Sequence, residues 1–147
     1  MKNLFVYGSL LFPEILEGLT GKLFKTSDAI LHGFKRYAVK GADYPAIVEN
    51  TSSKVKGKIV SGVDEKSMQT ITYYEGDQYD IVPLKIVFEN DVIETFVFVW
   101  NLEQDDLETQ DWDAKRFEQE SLPYYLTEVV PETVEEFRRI DFRASLG

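Results

Sequence analysis

Leu4-Phe5-Val6-Tyr7-Gly8-Ser9-Leu10 is an apolar, β-branched and aromatic run that stops abruptly at glycine and serine. The composition of residues 3 to 8 predicts a buried strand, and the Gly-Ser break predicts a turn directly above its end. Successive N–H groups at such a turn form a concavity that holds a carboxylate, a phosphate or a developing oxyanion. The same pattern also serves an ordinary buried strand that is reaching a loop. The rest of the chain decides between these readings.

Pro13 suits the first turn of a short helix through Leu16 and Glu17, with Gly18 or Gly21 to end it. Phe24 to Lys40 reads as extended, bent or bulged at Gly33, and leads into a loop from Gly41 to Pro45. Ala46 to Glu49 and Val55 to Val63 read as two strands joined by the polar turn Asn50 to Lys54. Asp64 is a natural N-cap for a helix reaching Tyr74, with Met68 and Ile71 on one face and Gly76 placed to terminate it. Tyr79 to Phe88 and Val92 to Trp100 flank Glu89-Asn90-Asp91 as a hairpin. The second of these strands is apolar on both alternating faces, as a central strand covered on both sides would be.

Beyond Trp100 an acidic stretch, Glu103 to Asp113, leads into helical spacing around Trp112, Phe117 and Leu122, interrupted at Pro123. Pro131 to Arg143 is a further helix, with its glutamates early and its arginines late, the order that complements a helix dipole. A β-rich body over about residues 1–100 and then a helical extension over about 101–147 give an α+β chain, read as one domain with a closed or nearly closed mixed sheet.

Composition narrows the chemistry. The chain has 147 residues, enough to bury a core without staples, and a net charge of −10, which repels nucleic-acid backbones and anionic membranes. It has no cysteine, which removes thiolate catalysis and zinc-thiolate sites, and its single histidine, His32, cannot build a histidine metal cluster. No phosphate loop, dinucleotide fingerprint or HExxH pattern occurs. Met1-Lys2-Asn3-Leu4 does not open a signal peptide, and no segment has the length of a membrane span, so a cytosolic protein is expected. Any catalysis must rest on carboxylates, tyrosines and backbone amides. Glu75, set among Tyr73, Tyr74 and Tyr79 at the expected helix C-terminus, is the carboxylate best placed to be made more basic, by burial and by the dipole.

Three segments carry a resemblance. Tyr7 to Leu10, Tyr44-Pro45 and Glu75-Gly76 to Tyr79, with Gly57 between, make residues Leu4 to Trp100 similar to the gamma-glutamylcyclotransferase superfamily, in particular its small avirulence-induced-gene-like branch. The resemblance implies a small β-barrel flanked by helices. It implies attack by the α-amine of a gamma-glutamyl compound on its own side-chain carbonyl, which yields 5-oxoproline and a free amine or amino acid without a cofactor or metal. Glu75 would carry the proton, while Tyr7, Gly8, Ser9, Leu10 and Tyr79 would bind substrate, the two tyrosines by walling the pocket and donating hydroxyls. Tyr44-Pro45 is read as shaping a loop, since the residue before proline is held extended. Family members often have Leu-Asp where this chain has Ile71-Thr72, a departure that bears on the substrate more than on the fold. The alternative reading is a non-catalytic small-molecule-binding or regulatory protein that keeps the pocket.

Overall fold

The computed structural model describes residues 1–146. Five strands, β1 (Lys2–Val6), β2 (Lys25–Ala38), β3 (Pro45–Val63), β4 (Tyr79–Phe88) and β5 (Asp91–Trp100), form one mixed sheet in the order β2-β3-β1-β5-β4. β1 runs antiparallel to β3 and parallel to β5, so the strand that opens the chain lies in the middle. Its apolar run is explained by that place. Leu4 and Val6 face the core shared with the helices, while Phe5 and Tyr7 face a second core with Ile59 and Val97. β5 alternates in the same way, with Val97 on one side and Phe98 and Trp100 on the other.

Two expectations about the sheet are corrected. The stretches read as two strands around Asn50 to Lys54 are one strand, β3; its ladder with β2 jumps from His32↔Lys54 to Phe34↔Glu49, so the polar residues form a wide bulge opposite Gly33. The closed or nearly closed barrel is found as an open, curled sheet. Ala29, Leu31 and Phe34 of β2 share a core with Ile86 of β4, but no ladder joins these two edges among the described residues. Pro83 removes a backbone donor from β4, which suits an edge strand. The β4–β5 hairpin closes tightly, Phe88 pairing with Asp91 across Glu89-Asn90, and Glu89 takes the positive φ of 55°.

The helices lie over the face of the sheet that bears Leu4, Val6, Val60 and Val63. α1 (Pro13–Thr20) ends at Gly21, past Gly18, and α2 (Glu65–Glu75) is capped by Asp64, whose carboxylate accepts from the Ser67 N–H at 3.2 Å. α3 (Ala114–Glu120) stops at Ser121. Pro123 then lies in the first turn of α4 (Leu122–Tyr124), which runs through a π turn (Tyr125–Val129) into α5 (Val130–Leu146). Pro131 cannot donate to a carbonyl one turn back, and the turn before it widens. Phe12, Trp112, Phe117 and Tyr125 pack ring to ring, with centroids 4.9 to 5.6 Å apart, and fasten this helical run to the body. Among the described residues no helix is long and apolar enough to cross a membrane.

Candidate active site

The end of β1 is held from two directions. The Tyr7 hydroxyl donates to the carbonyl of Phe98 at 2.5 Å, and the Tyr7 carbonyl accepts from Arg36 Nη1 at 2.7 Å. The other guanidinium nitrogens of Arg36 pair with both carboxylate oxygens of Asp111, at 2.8 and 3.2 Å. Ser9–Leu11 then form a single 3₁₀ turn, closed by the Leu11 N–H on the Gly8 carbonyl at 2.9 Å. The N–H groups of Gly8, Ser9 and Leu10 donate to no protein acceptor among the described residues. They are the open donors of a helix-like start, the kind of group that binds an anion.

Crowding calls for glycine at position 8: a Cβ there would lie 2.8 and 2.9 Å from ring carbons of Pro45. Pro45 thus packs on the turn, and Tyr44 and Pro45 both line the cleft. The Pro45 carbonyl accepts from the Tyr79 hydroxyl at 2.7 Å.

Glu75 is the last residue of α2. Gly76, at φ 83°, stops the helix with its N–H on the Thr72 carbonyl, and the Glu75 side chain leaves into the cleft. Thr72, in the position of the family's usual aspartate, spends its hydroxyl on the Met68 carbonyl at 2.7 Å. Burial among tyrosines and apolar strand residues pushes the Glu75 carboxyl up to about 8, with no cation beside it to oppose the rise. Burial, then the Glu75 charge, raises Tyr7 and Tyr74; burial, then Tyr7 and Glu75, raises Tyr79. All three keep their protons at neutral pH.

The cleft has two halves that share Ser9, Tyr44, Glu75 and Tyr79. The inner half runs along the end of β1 to Phe98 and holds about 340 Å³ of empty space, its mouth included. The outer half, about 500 Å³, is bounded by Tyr74, Gln78, Tyr125 and Val129.

All six residues singled out from the sequence, Tyr7, Gly8, Ser9, Leu10, Glu75 and Tyr79, line the inner half. One detail differs from expectation. The Tyr7 and Tyr79 hydroxyls are committed to backbone carbonyls, so these side chains offer ring surface to a ligand rather than donors. Ser9 Oγ is likewise paired, with the Tyr74 hydroxyl at 2.8 Å. Sequence reading missed Arg36, Asp111, Tyr125 and Val129. Only an arginine inside an extended apolar stretch could have flagged the first, and no local signal marks the others.

Residues 4–114 match the family described as gamma-glutamyl cyclotransferase, AIG2-like. Protein AIG2 C of Arabidopsis thaliana is 34% identical over 117 residues, which cover 78% of this chain and 71% of the relative. AIG2-like protein D of the same plant is 28% identical over 81% of this chain and 80% of its own length. A solution structure of an Arabidopsis thaliana protein superposes with a TM-score of 0.66 at 30% identity, covering 95% of this chain and 81% of that one. A structure named gamma-glutamyl cyclotransferase shares the fold at a TM-score of 0.55 and 14% identity, over 88% of this chain and 86% of that one. With the match spanning the turn after β1, the Tyr44-Pro45 loop and Glu75, the chain belongs to the AIG2-like gamma-glutamyl cyclotransferase family.

Proposed function

We propose that this protein, acting as one domain over residues 1–147, is a gamma-glutamyl cyclotransferase that converts a gamma-glutamyl amine or amino acid into 5-oxoproline and the free amine. The observation that carries this reading is Glu75: a carboxylate raised to about 8 that has no cation partner among the described residues, in the same cleft as three N–H groups with no acceptor among those residues. A general base works best with a pKa near the working pH. A site that only held a ligand would have little use for an unpaired, half-buried carboxylate.

In this mechanism Glu75 takes a proton from the substrate's α-ammonium. The freed amine attacks the γ-carbonyl carbon, and the oxygen becomes an oxyanion that the Gly8 to Leu10 turn can stabilise. Protonated Glu75 then gives its proton to the leaving nitrogen, and the carbon–nitrogen bond breaks. The ring nitrogen releases its second proton as the departing amine takes one up, so the reaction consumes neither water nor protons overall. Nucleophile and electrophile belong to one molecule, and oriented attack of that kind reaches effective molarities of about 10⁵ to 10⁸ M. The protein has only to fold the substrate, move a proton and steady the oxyanion, for which no cofactor is needed.

The test is to incubate purified protein with a panel of gamma-glutamyl dipeptides and gamma-glutamylamines and to measure 5-oxoproline by chromatography. Release from at least one compound is expected. No release at high protein concentration would leave the reading of a non-catalytic binding or regulatory protein.

A further inference from the structure

The negative charge of the chain is unevenly spread. Residues 25–63, which hold β2 and β3, carry seven lysines and arginines against three acids, although the whole chain has a net charge of −10. The excess gathers where β3 bulges. Lys54 and Lys56 lie two residues apart and so stand on one face of the strand, while Val55 between them turns into the core with Phe5 and Ile59. Residues 50–53, just before them, have no partner in the ladder with β2. Beside this bulge is a hollow of about 810 Å³, its mouth included, whose lining includes Lys35, Arg36, Ser53, Lys54, Lys56 and Asp111.

The charges in the hollow do not cancel. Asp111 is the one carboxylate that lines it among the described residues, and both its oxygens are taken, by Arg36 at 2.8 and 3.2 Å and by the Trp112 N–H at 2.7 Å. No carboxylate pairs with Lys35, Lys54 or Lys56 among the described residues. The Lys35 ammonium stands 5.2 Å from the centre of the Tyr37 ring, a contact that leaves its charge uncancelled. Three such ammonium groups and the Ser53 hydroxyl supply charge-assisted donors for a group with several anionic oxygens. Acids farther off than about 8 to 10 Å are largely screened at ordinary ionic strength, so a small anion in the hollow meets the local positive field. A long polyanion would also meet the negative surface around it.

We infer that the hollow at the β3 bulge binds a small ligand bearing phosphate groups, through Lys35, Lys54, Lys56 and the Ser53 hydroxyl. It shares no lining residue with the cleft beside Glu75. Arg36 stands on its wall while holding the Tyr7 carbonyl, so a bound phosphate lies against the guanidinium that braces the turn after β1.

Pyrophosphate is the probe, titrated into the ¹⁵N-labelled full chain with potassium chloride adjusted to hold ionic strength constant. Saturable shifts are expected for the Arg36 Nε–H signal and for the amides of residues 52–56. Lys54 and Lys56 are exposed, so the double variant Lys54→Gln, Lys56→Gln should fold as the parent does. It should bind pyrophosphate at least about tenfold more weakly, having lost two charge-assisted donors. Shifts that never saturate overturn the inference, as does a folded double variant with the parent's affinity. Saturable shifts confined to Gly8, Ser9 and Leu10 would place the anion in the turn after β1 and overturn it as well. A phosphoserine peptide that bound at least about tenfold tighter than pyrophosphate would make the occupant a protein segment instead of a small ligand.

Discussion

The guanidinium of Arg36 donates to the carbonyl of Tyr7 at 2.7 Å while the same group grips Asp111 with two further bonds. In a trans peptide the carbonyl and the next residue's N–H point in opposite directions. Fixing the Tyr7 oxygen on Arg36 therefore turns the Gly8 N–H away from that cation, and the pull on the carbonyl makes the N–H a better donor.

Arg36→Met should cost about 1.5 to 3 kcal/mol of stability, the range for a hydrogen bond to a charged group. It should lower kcat for 5-oxoproline release more than it raises KM, because a wandering Gly8 N–H serves the oxyanion poorly. Arg36→Lys can keep the charge but not both the Tyr7 and Asp111 contacts, and should recover only part of the loss. Urea unfolding and steady-state kinetics measure the two effects. A destabilised Arg36→Met protein with the parent's kcat would show that the turn keeps its own orientation.

Glu75→Gln preserves size and removes the titratable carboxyl. It should reduce kcat by at least ~10²-fold, the lower bound for a positioned acid–base group, and leave affinity for 5-oxoproline within a few fold. Unchanged turnover rejects Glu75 as the base. Weaker binding at unchanged kcat would mark it instead as a contact for the substrate's ammonium.

The raised Glu75 carboxyl also gives two pH signatures. With the base form required and its pKa near 8, kcat/KM should climb with pH up to about 8 and flatten above it. Stability should move the opposite way. An unfolded chain releases this proton near an ordinary glutamate value of about 4.3. Between there and about 8 the native state thus binds more protons than the unfolded state, so stability falls across that window as pH rises. Glu75→Gln should lose this slope and gain Tm over the parent at pH 8.5 but not at pH 4. A Tm difference independent of pH would place the Glu75 carboxyl near its ordinary value.

Side chain and backbone separate at the turn. Ser9→Ala leaves the Tyr74 hydroxyl without its partner and should cost about 1 kcal/mol of stability with mild effects on binding. Gly8→Val drives a branched side chain into the Pro45 ring and should abolish 5-oxoproline binding measured by calorimetry. A soluble, folded Gly8→Val protein that binds as the parent does would mean that the turn merely ends a strand. If Ser9→Ala proves the damaging change, the hydroxyl and not the backbone makes the contact.

Local signals made much of this molecule legible. The buried run to Tyr7, the Asp64 cap, the Gly76 stop and the β4–β5 hairpin are each written within a few neighbouring residues, and together they bring Glu75 to the strand end. The family motifs marked the inner half for the same reason: they are short and contiguous. What escaped depends on distance along the chain. Arg36 meets Tyr7 across 29 positions and Asp111 across 75, and Tyr125 reaches Asp43 across 82. Whether the sheet closes depends on how far it curls, which no single strand encodes. Asn50 to Lys54 looked like a turn because polar residues break the hydrophobic pattern, yet in β3 they are carried through a bulge without the chain reversing.

The π turn at Tyr125–Val129 amounts to one extra residue within an otherwise regular helical run. Each residue of an α-helix advances the side chains by about 100°, so trimming one residue from this turn would straighten the helix but rotate everything on one side of the deletion by that angle. Val130 against Gly18, and Phe137 against Tyr73, anchor the downstream side. The misrotation would then fall upstream, swinging Tyr125 off Asp43 and out of the cleft. Length in this short stretch is thus a dial for the shape of the cleft, and a chain that differed by a single insertion or deletion there would present different walls beside Glu75.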